Sequence, residues 1–497
     1  MQENNSNLLN LWLKTKTVFL PYRLIPTMAN YELNKNEPSP QFLQVLQRYE
    51  KALNGELCVF FDEEDLEDII DYFADNQQLL KAEEAVNFSL RLHPSSVSIK
   101  TRLARLLILQ KRRAAAAHLV QSLVQLEPEN VDVVLCQADL LLYDGRSDDA
   151  KRILKKMVLH PAEPVDELCL SAAYVYCDHN MYTEAKSFLT YGYAHGGQKN
   201  FHLCFQLAVC DEQLGNVDEA VRLYNTVLDI DPYSNDAWFN LGQIYFSVSQ
   251  YDKALEAYDY AALTGKDDFQ AYLQKAHCYF QKESYQKALE AYRDYARRSN
   301  DYSAPIHIFI GECFEQMEKF DDAYRCFERA SVLDPDNPDG WAGMCVCMMD
   351  QERYAEALPL IQKAIRINGN VGSYWVYLGD IYENLNDLQL ALSAFSHAQI
   401  YMPDSADLNA LLGGIYVYMG NFDAALTCLV KAKDGESSND EIPVMLAVCY
   451  YKLGQLDQAS DQLTLAILKK QESKDTFFEL CPEAKNDPLF VNFDHSN

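Results

Sequence analysis

Three stretches of the sequence carry residues whose type and spacing could do chemistry. Cys345 and Cys347 stand two apart in WAGMCVCMMD, a spacing at which two thiolates can reach one soft cation. A structural zinc site closes with four such ligands, and no CxxC or HxxxH accompanies the pair. The two thiols therefore read as small apolar core residues. LDPDNPDGW, from Leu333 to Trp341, offers Asp334, Asp336 and Asp339 beside Gly340, oxygen donors of the kind a calcium loop gathers. Pro335 and Pro338 interrupt that spacing and the closing bidentate Glu is missing. FFDEEDLEDIID sets seven carboxylates between Asp62 and Asp71, which reads as a solvated face near a helix N-terminus. The ten histidines form no i, i+4 pair. No GxxxxGKS or GxxxxGKT phosphate loop, GxGxxG turn, HExxH pair or GxSxG elbow occurs. The expectation is a chain with no catalytic residues, no metal and no cofactor.

Composition narrows the partners. The 497 residues carry 43 Lys+Arg against 73 Asp+Glu, a formal charge of -30. Sequence-independent binding of nucleic acid needs a basic surface that displaces counterions, so no nucleic-acid partner is expected. Basic or neutral partners suit this field better. Fourteen cysteines are scattered without a paired framework, as in a reducing, cytoplasmic setting. Near the start, LLNLWLKTKTVFLPYRLIP is broken by Lys14, Lys16, Pro21, Arg23 and Pro26. It supplies neither the uninterrupted apolar run of a signal peptide nor a membrane span. Met28 opens a more ordinary MANYELNKNEPSP, so residues 1–27 are expected to be an over-extended start within a disordered extension, 1–37.

The elements that position these side chains follow from a period. NDAWFNLGQIYFSVSQYDKALEAYDYAA, from Asn235 to Ala262, puts Trp238, Leu241, Gly242, Tyr245, Ala254, Tyr258 and Ala261 at positions 4, 7, 8, 11, 20, 24 and 27. Twelve copies start at Glu63, Val97, Val131, Asp166, Phe201, Asn235, Phe269, Ala304, Pro338, Gly372, Ala406 and Asp440, spaced 34 or 35 residues apart. Position 20 is Ala in all twelve, as a close crossing of two helices requires. Position 8 is Gly, Ala or Cys in eleven, with Ile70 the exception. Position 15 holds Gly145, Gly215, Gly420 and Gly454, with Asn180 and Asn386, residues that tolerate the left-handed conformation ending a helix. Pro94, Pro128, Pro232, Pro335 and Pro403 stop the second helix.

On these residues the sequence resembles the tetratricopeptide repeat family, a helix–turn–helix unit of 34 residues. The resemblance implies an all-α fold, a right-handed superhelical solenoid of helix–turn–helix repeats. The expected organisation is a capping helix over 38–62, twelve repeats over 63–473, and a C-terminal capping segment over 474–497 rich in Phe477, Phe478, Leu480, Leu489, Phe490 and Phe493. The repeats leave no room for a catalytic domain within those bounds.

In this family the first helix of each unit, helix A, lines a concave groove through positions 2, 5, 6, 9, 12 and 13. The carboxylate clamp for chaperone tails is not expected, because Phe205 and Val209, then Gln270 and Gln274, stand where its Lys, Asn and Arg belong around Asn240. The middle units instead offer Phe205, Gln206, Phe239, Asn240, Gln243, Phe246, Leu273, Gln274, His277, Phe280, Ile308, Phe309 and Glu312. Aromatic rings alternating with amides suit an extended peptide, whose apolar side chains and backbone they would take. Phe246 and Phe280 share position 12 and are expected to form a ladder. The function this implies is a non-enzymatic protein–protein interaction scaffold holding a partner's peptide or helix. The alternative is a regulatory subunit or ligand-sensing protein whose array changes curvature on binding.

Overall fold

The computed structural model describes residues 40–54, 60–159, 164–265, 269–490 and 493. The extension 1–37, with its candidate start at Met28, lies outside the described residues. Every regular element among the described residues is helical. After Pro40–Leu53, repeats 1 to 6 are Glu63–Asp75 with Leu79–Leu92, Val97–Leu109 with Arg113–Leu126, Val131–Tyr143 with Ser147–Leu159, Val165–Cys177 with Tyr182–Ala194, Phe201–Gln213 with Val217–Ile230, and Asn235–Ser247 with Tyr251–Thr264. Repeats 7 to 12 are Gln270–Gln281 with Tyr285–Ser299, Ala304–Gln316 with Phe320–Leu333, Pro338–Asp350 with Tyr354–Ile367, Gly372–Asn384 with Leu388–Tyr401, Ala406–Tyr418 with Phe422–Asp434, and Ile442–Lys452 with Leu456–Lys469. The first six hairpins fall in one compact unit and the last six in another, divided between Lys266 and Asp267.

Local sequence starts and turns each hairpin. Side chains of Asp62, Ser96, Asn130, Asn200, Ser234 and Ser405 cap helix A by accepting a backbone N–H from the first turn. At position 15 all twelve hairpins adopt positive φ, including Gln77, Lys111, Ser249, Glu283, Glu318 and Glu352. Repeat 6 shows why non-glycine residues accept this. Gln250 N donates to Tyr245 O at 2.8 Å and Ser249 N to Phe246 O at 2.9 Å, the paired bonds that close a helix through a left-handed residue.

Inside each of the two compact units, taken separately, helix B packs against its own helix A and against helix A of the next hairpin of that unit. The twelve position-20 alanines, from Ala82 to Ala459, are wholly buried at that crossing. Position 24 supplies the core side chain beside them: Val86, Val120, Leu154 and Leu189 early on, then Tyr224, Tyr258, Tyr292, Phe327 and Phe395, all buried. Its size is matched across the hairpin. Ile70 at position 8 faces the unit whose position 24 is only Val86, whereas Gly242, Gly311 and Gly379 stand under Tyr258, Phe327 and Phe395. Phe327 is held from both sides, since a Cβ at Gly311 or at Gly343 would come within 2.8 or 2.5 Å of its ring.

Two end segments cover the arrays. From Pro40–Leu53, Tyr49 is buried and meets Phe88 edge-on at 5.3 Å. After repeat 12, Ser473–Leu480 and a short 3-10 helix, Pro482–Asn486, bury Phe477, Phe478 and Phe490, with Tyr451 edge-on to Phe490 at 5.2 Å.

Candidate functional site

The three stretches with chemical potential serve the packing. Cys345 and Cys347 are buried, and Cys345 Sγ lies 3.7 Å from Met349 Sδ. Trp341 Nε1 donates to Pro335 O, and Asp339 accepts from the Tyr374 hydroxyl at 2.5 Å, which closes the LDPDNPDGW turn. The acidic run is only partly solvated: Arg102 of repeat 2 reaches Glu67 at 3.1 Å and Asp71 at 2.8 Å. Among the described residues, no three His, Cys, Asp or Glu side chains gather where a metal could bind.

The expected groove residues separate into two sets. Phe205, Phe239, Asn240, Phe280 and Ile308 are buried, with Phe239 and Phe280 only 4% exposed. This corrects the expectation of exposed aromatic contacts at those positions. The cause lies within each hairpin, where a position-5 ring falls onto the position-24 tyrosine. Phe205 meets Tyr224 at 5.7 Å and Phe239 meets Tyr258 at 5.6 Å. Position-12 rings turn onto the tyrosine that opens helix B, Phe246 onto Tyr251 at 5.5 Å and Phe280 onto Tyr285 at 5.3 Å. Asn240 donates to the Tyr224 hydroxyl at 3.1 Å, which in turn donates to Glu212 at 2.9 Å. Its amide thus satisfies a buried chain, and burial pushes the Glu212 carboxyl up despite that bond.

The second set stays partly open: Gln206, Gln243 and Phe246 in the first unit, and Leu273, Gln274, His277, Phe309 and Glu312 in the second. Gln206 Nε2 donates to Cys177 Sγ at 3.2 Å, and that sulfur lies 3.8 Å from Cys210 Sγ. The His277 ring stands edge-on to Phe309 at 4.9 Å, with Tyr292 stacked on Phe309 at 5.3 Å. Burial pushes His277 down to about 4, so near neutral pH it is an uncharged polar surface.

Helix A also bears a pocket in repeats 10 to 12. It is a small cleft open to solvent, about 20 Å³ in volume, and is lined among others by Glu383, Gly414, Tyr418, Glu441 and Met445. Glu383 stands at position 12 of repeat 10, Gly414 and Tyr418 at positions 9 and 13 of repeat 11, and Glu441 at position 2 of repeat 12. Burial first, and the Glu441 charge second, push the Glu383 carboxyl up to about 7. Burial likewise raises Glu441, which Lys470 partly offsets.

Comparison with known proteins follows the same periodicity. A tetratricopeptide family model, described as the cilia and flagella-associated protein 70 C-terminal domain, matches residues 264–439. A second, anaphase-promoting complex, cyclosome, subunit 3, matches residues 213–295. With twelve hairpins of one pattern, these decide the family. The chain is a tetratricopeptide repeat protein. RNA polymerase-associated protein CTR9 of Caenorhabditis elegans is 23% identical over 257 residues, 50% of this chain and 22% of the relative. Anaphase-promoting complex subunit CDC16 of Saccharomyces cerevisiae is 22% identical over 441 residues, 86% of this chain and 46% of the relative. The chain therefore spans less than half the length of these curated relatives. A tetratricopeptide repeat protein from Parabacteroides merdae, 18% identical, covers 50% of this chain with 98% of its own at a TM-score of 0.43.

For a tetratricopeptide repeat protein the pocket falls on positions that the family resemblance assigns to the groove, at the far end of the chain from the middle repeats, where aromatic residues are dense. The overlooked signal is the Gly413–Gly414 pair inside helix A of repeat 11. Gly413 answers to packing, since its Cβ would meet Leu429 at 2.6 Å. Gly414 does not, because nothing lies within 4 Å of a Cβ there.

Proposed function

We propose that this tetratricopeptide repeat protein is a non-catalytic scaffold that holds an extended segment of a partner protein against its helix-A faces. The observation that carries the reading is the contrast along helix A. Positions 8, 20 and 24 close the core, while Gln206, Gln243, Gln274, Phe309 and Glu312 at positions 6 and 9 stay partly open. Amides there offer donors and acceptors to a peptide backbone, and Phe309 offers apolar area. The relative named as a subunit of the anaphase-promoting complex supports assembly work for such arrays. With a formal charge of -30, the partner segment is neutral or basic and nucleic acid is not bound. Thirteen described cysteines, none in a disulfide, favour a reducing compartment, the cytoplasm. No helix among the described residues is long and apolar enough to cross a membrane.

The test is capture from lysate of the source cells with wild type beside a Gln206→Arg/Gln243→Arg/Gln274→Arg variant. These side chains are partly open, so the variant is expected to keep the wild-type melting curve and to lose specific partners. Identical retained sets from two equally folded chains would refute the helix-A assignment.

A further inference from the structure

The pocket of repeats 10 to 12 has features that packing does not explain. A glycine inside a helix costs about 0.5–1 kcal/mol relative to alanine. Elsewhere in the helix-A interiors that cost has a visible reason: Gly242, Gly311, Gly343, Gly379 and Gly413 lie under a ring or a leucine. Gly414 lies under nothing, and its missing side chain is what leaves the pocket open. The two carboxylates that line this space, Glu383 and Glu441, form no side-chain hydrogen bond or ion pair among the described residues, and the Glu441 charge raises the Glu383 carboxyl. The buried carboxylate of Asp211, by contrast, is matched by Lys186 at 2.5 Å. Lys470 offsets Glu441 only in part, so the two carboxylates over this cleft can receive further positive charge from outside. The remaining walls define its character: Ile442 and Met445 are apolar, and Tyr418, 40% exposed, adds an aromatic residue. Apolar walls suit a methylene stem, and a ring face suits a cationic head. A calcium ion would need six to eight oxygen ligands in place of these walls.

We propose that this pocket takes the lysine or arginine side chain of an extended partner segment, with its charged head between Glu383 and Glu441 and its stem across Gly414. This rests on the reading that helix-A faces bind a partner, and it gives that partner a chemistry, a basic residue presented in an unfolded stretch.

The test uses the full chain with 13C-labelled methionine methyls and follows Met445, which lines the pocket. The probes are Ac-Ala-Ala-Arg-Ala-Ala-NH2, its lysine counterpart, and citrulline and norleucine versions, at millimolar concentration. The basic peptides are expected to move the Met445 methyl resonance saturably, and the neutral ones to leave it in place. Gly414→Leu, which fills the open space, should abolish the shift. Glu383→Gln/Glu441→Gln should weaken binding by about tenfold or more and gives an independent variant if the leucine perturbs folding. Equal shifts from neutral peptides, saturable shifts surviving both variants, or no shift with any peptide would each overturn the proposal. So would a Met445 shift produced by calcium chloride alone. If partner capture is lost in the Gln206/Gln243/Gln274 variant but the Met445 titration fails, the pocket is refuted and the scaffold stands. The opposite pair of results refutes the assignment of Gln206, Gln243 and Gln274 alone.

Discussion

The Tyr292 hydroxyl lies 2.7 Å from Nδ1 of His277, joining the two helices of repeat 7 through one short hydrogen bond. Burial alone pushes the imidazole down to about 4, so the ring is neutral at physiological pH and Nδ1 accepts from the hydroxyl. The sign of the pH effect follows. The unfolded histidine takes up its proton near its ordinary value of 6.5 while the folded one resists to about 4. The unfolded state therefore binds more protons in that window, and folding stability falls as pH drops through it. His277→Gln is expected to flatten this part of the melting temperature against pH curve relative to wild type. Parallel curves for the two proteins would show that His277 titrates as it does in the unfolded chain.

Two glycines should respond in opposite directions to the same added methyl. At Gly343 a Cβ would come within 2.5 Å of the Phe327 ring, which Gly311 already confines from the other side. Overpacking of that kind costs about 1–3 kcal/mol. At Gly414 the methyl meets open space, and alanine gains about 0.5–1 kcal/mol from helix propensity. Gly343→Ala should lower the urea midpoint and Gly414→Ala should raise it. Shifts of the same sign would contradict the packing account.

The turn between the helices offers a third measurement. Glu283, Glu318 and Glu352 sit at φ of 56°, 59° and 59°, where a Cβ costs about 1–2 kcal/mol. Glycine removes that strain and adds back about 0.5–1 kcal/mol of backbone entropy. Glu318→Gly with Glu352→Gly is expected to raise the melting temperature by a few degrees. A fall would mean that the hydrogen bonds of the turn depend on side chains at position 15.

These turns also mark how far the sequence could be read. The alanine at position 20 and the small residue at position 8 are legible because steric exclusion acts on residue type directly, and they carry the fold class. The left-handed turn was legible only where Gly or Asn betrays it, as at Gly145 or Asn386. Gln77, Lys111 and Ser249 adopt the same conformation because backbone hydrogen bonds impose it, leaving no trace in the side chain. The candidate site was less legible for a related reason. An aromatic residue at position 5 looks like a contact surface until the position-24 tyrosine beneath it is known. Gly414 looks like one more close-packing glycine until the space above it is seen to be empty.

The aromatic positions themselves give the last prediction. Phe239 and Phe246 lie on the same helix, at positions 5 and 12 of repeat 6. Phe239 is 4% exposed against Tyr258, whereas Phe246 is partly open beside Tyr251. Removing a buried ring costs about 3–5 kcal/mol through lost transfer energy and the cavity left behind. Phe239→Ala should therefore unfold repeat 6 and its neighbours at lower urea, seen as a displaced circular dichroism transition. Phe246→Ala gives up only partial burial, so its transition should stay close to wild type while any partner contact at that position is lost. If Phe239→Ala melts with wild type, the ring is not part of the core and the exposed-contact assignment at position 5 returns. If Phe246→Ala is as destabilising as Phe239→Ala, position 12 is core as well, and the surface proposed for a partner in repeat 6 contracts to Gln243 and the side chains around it.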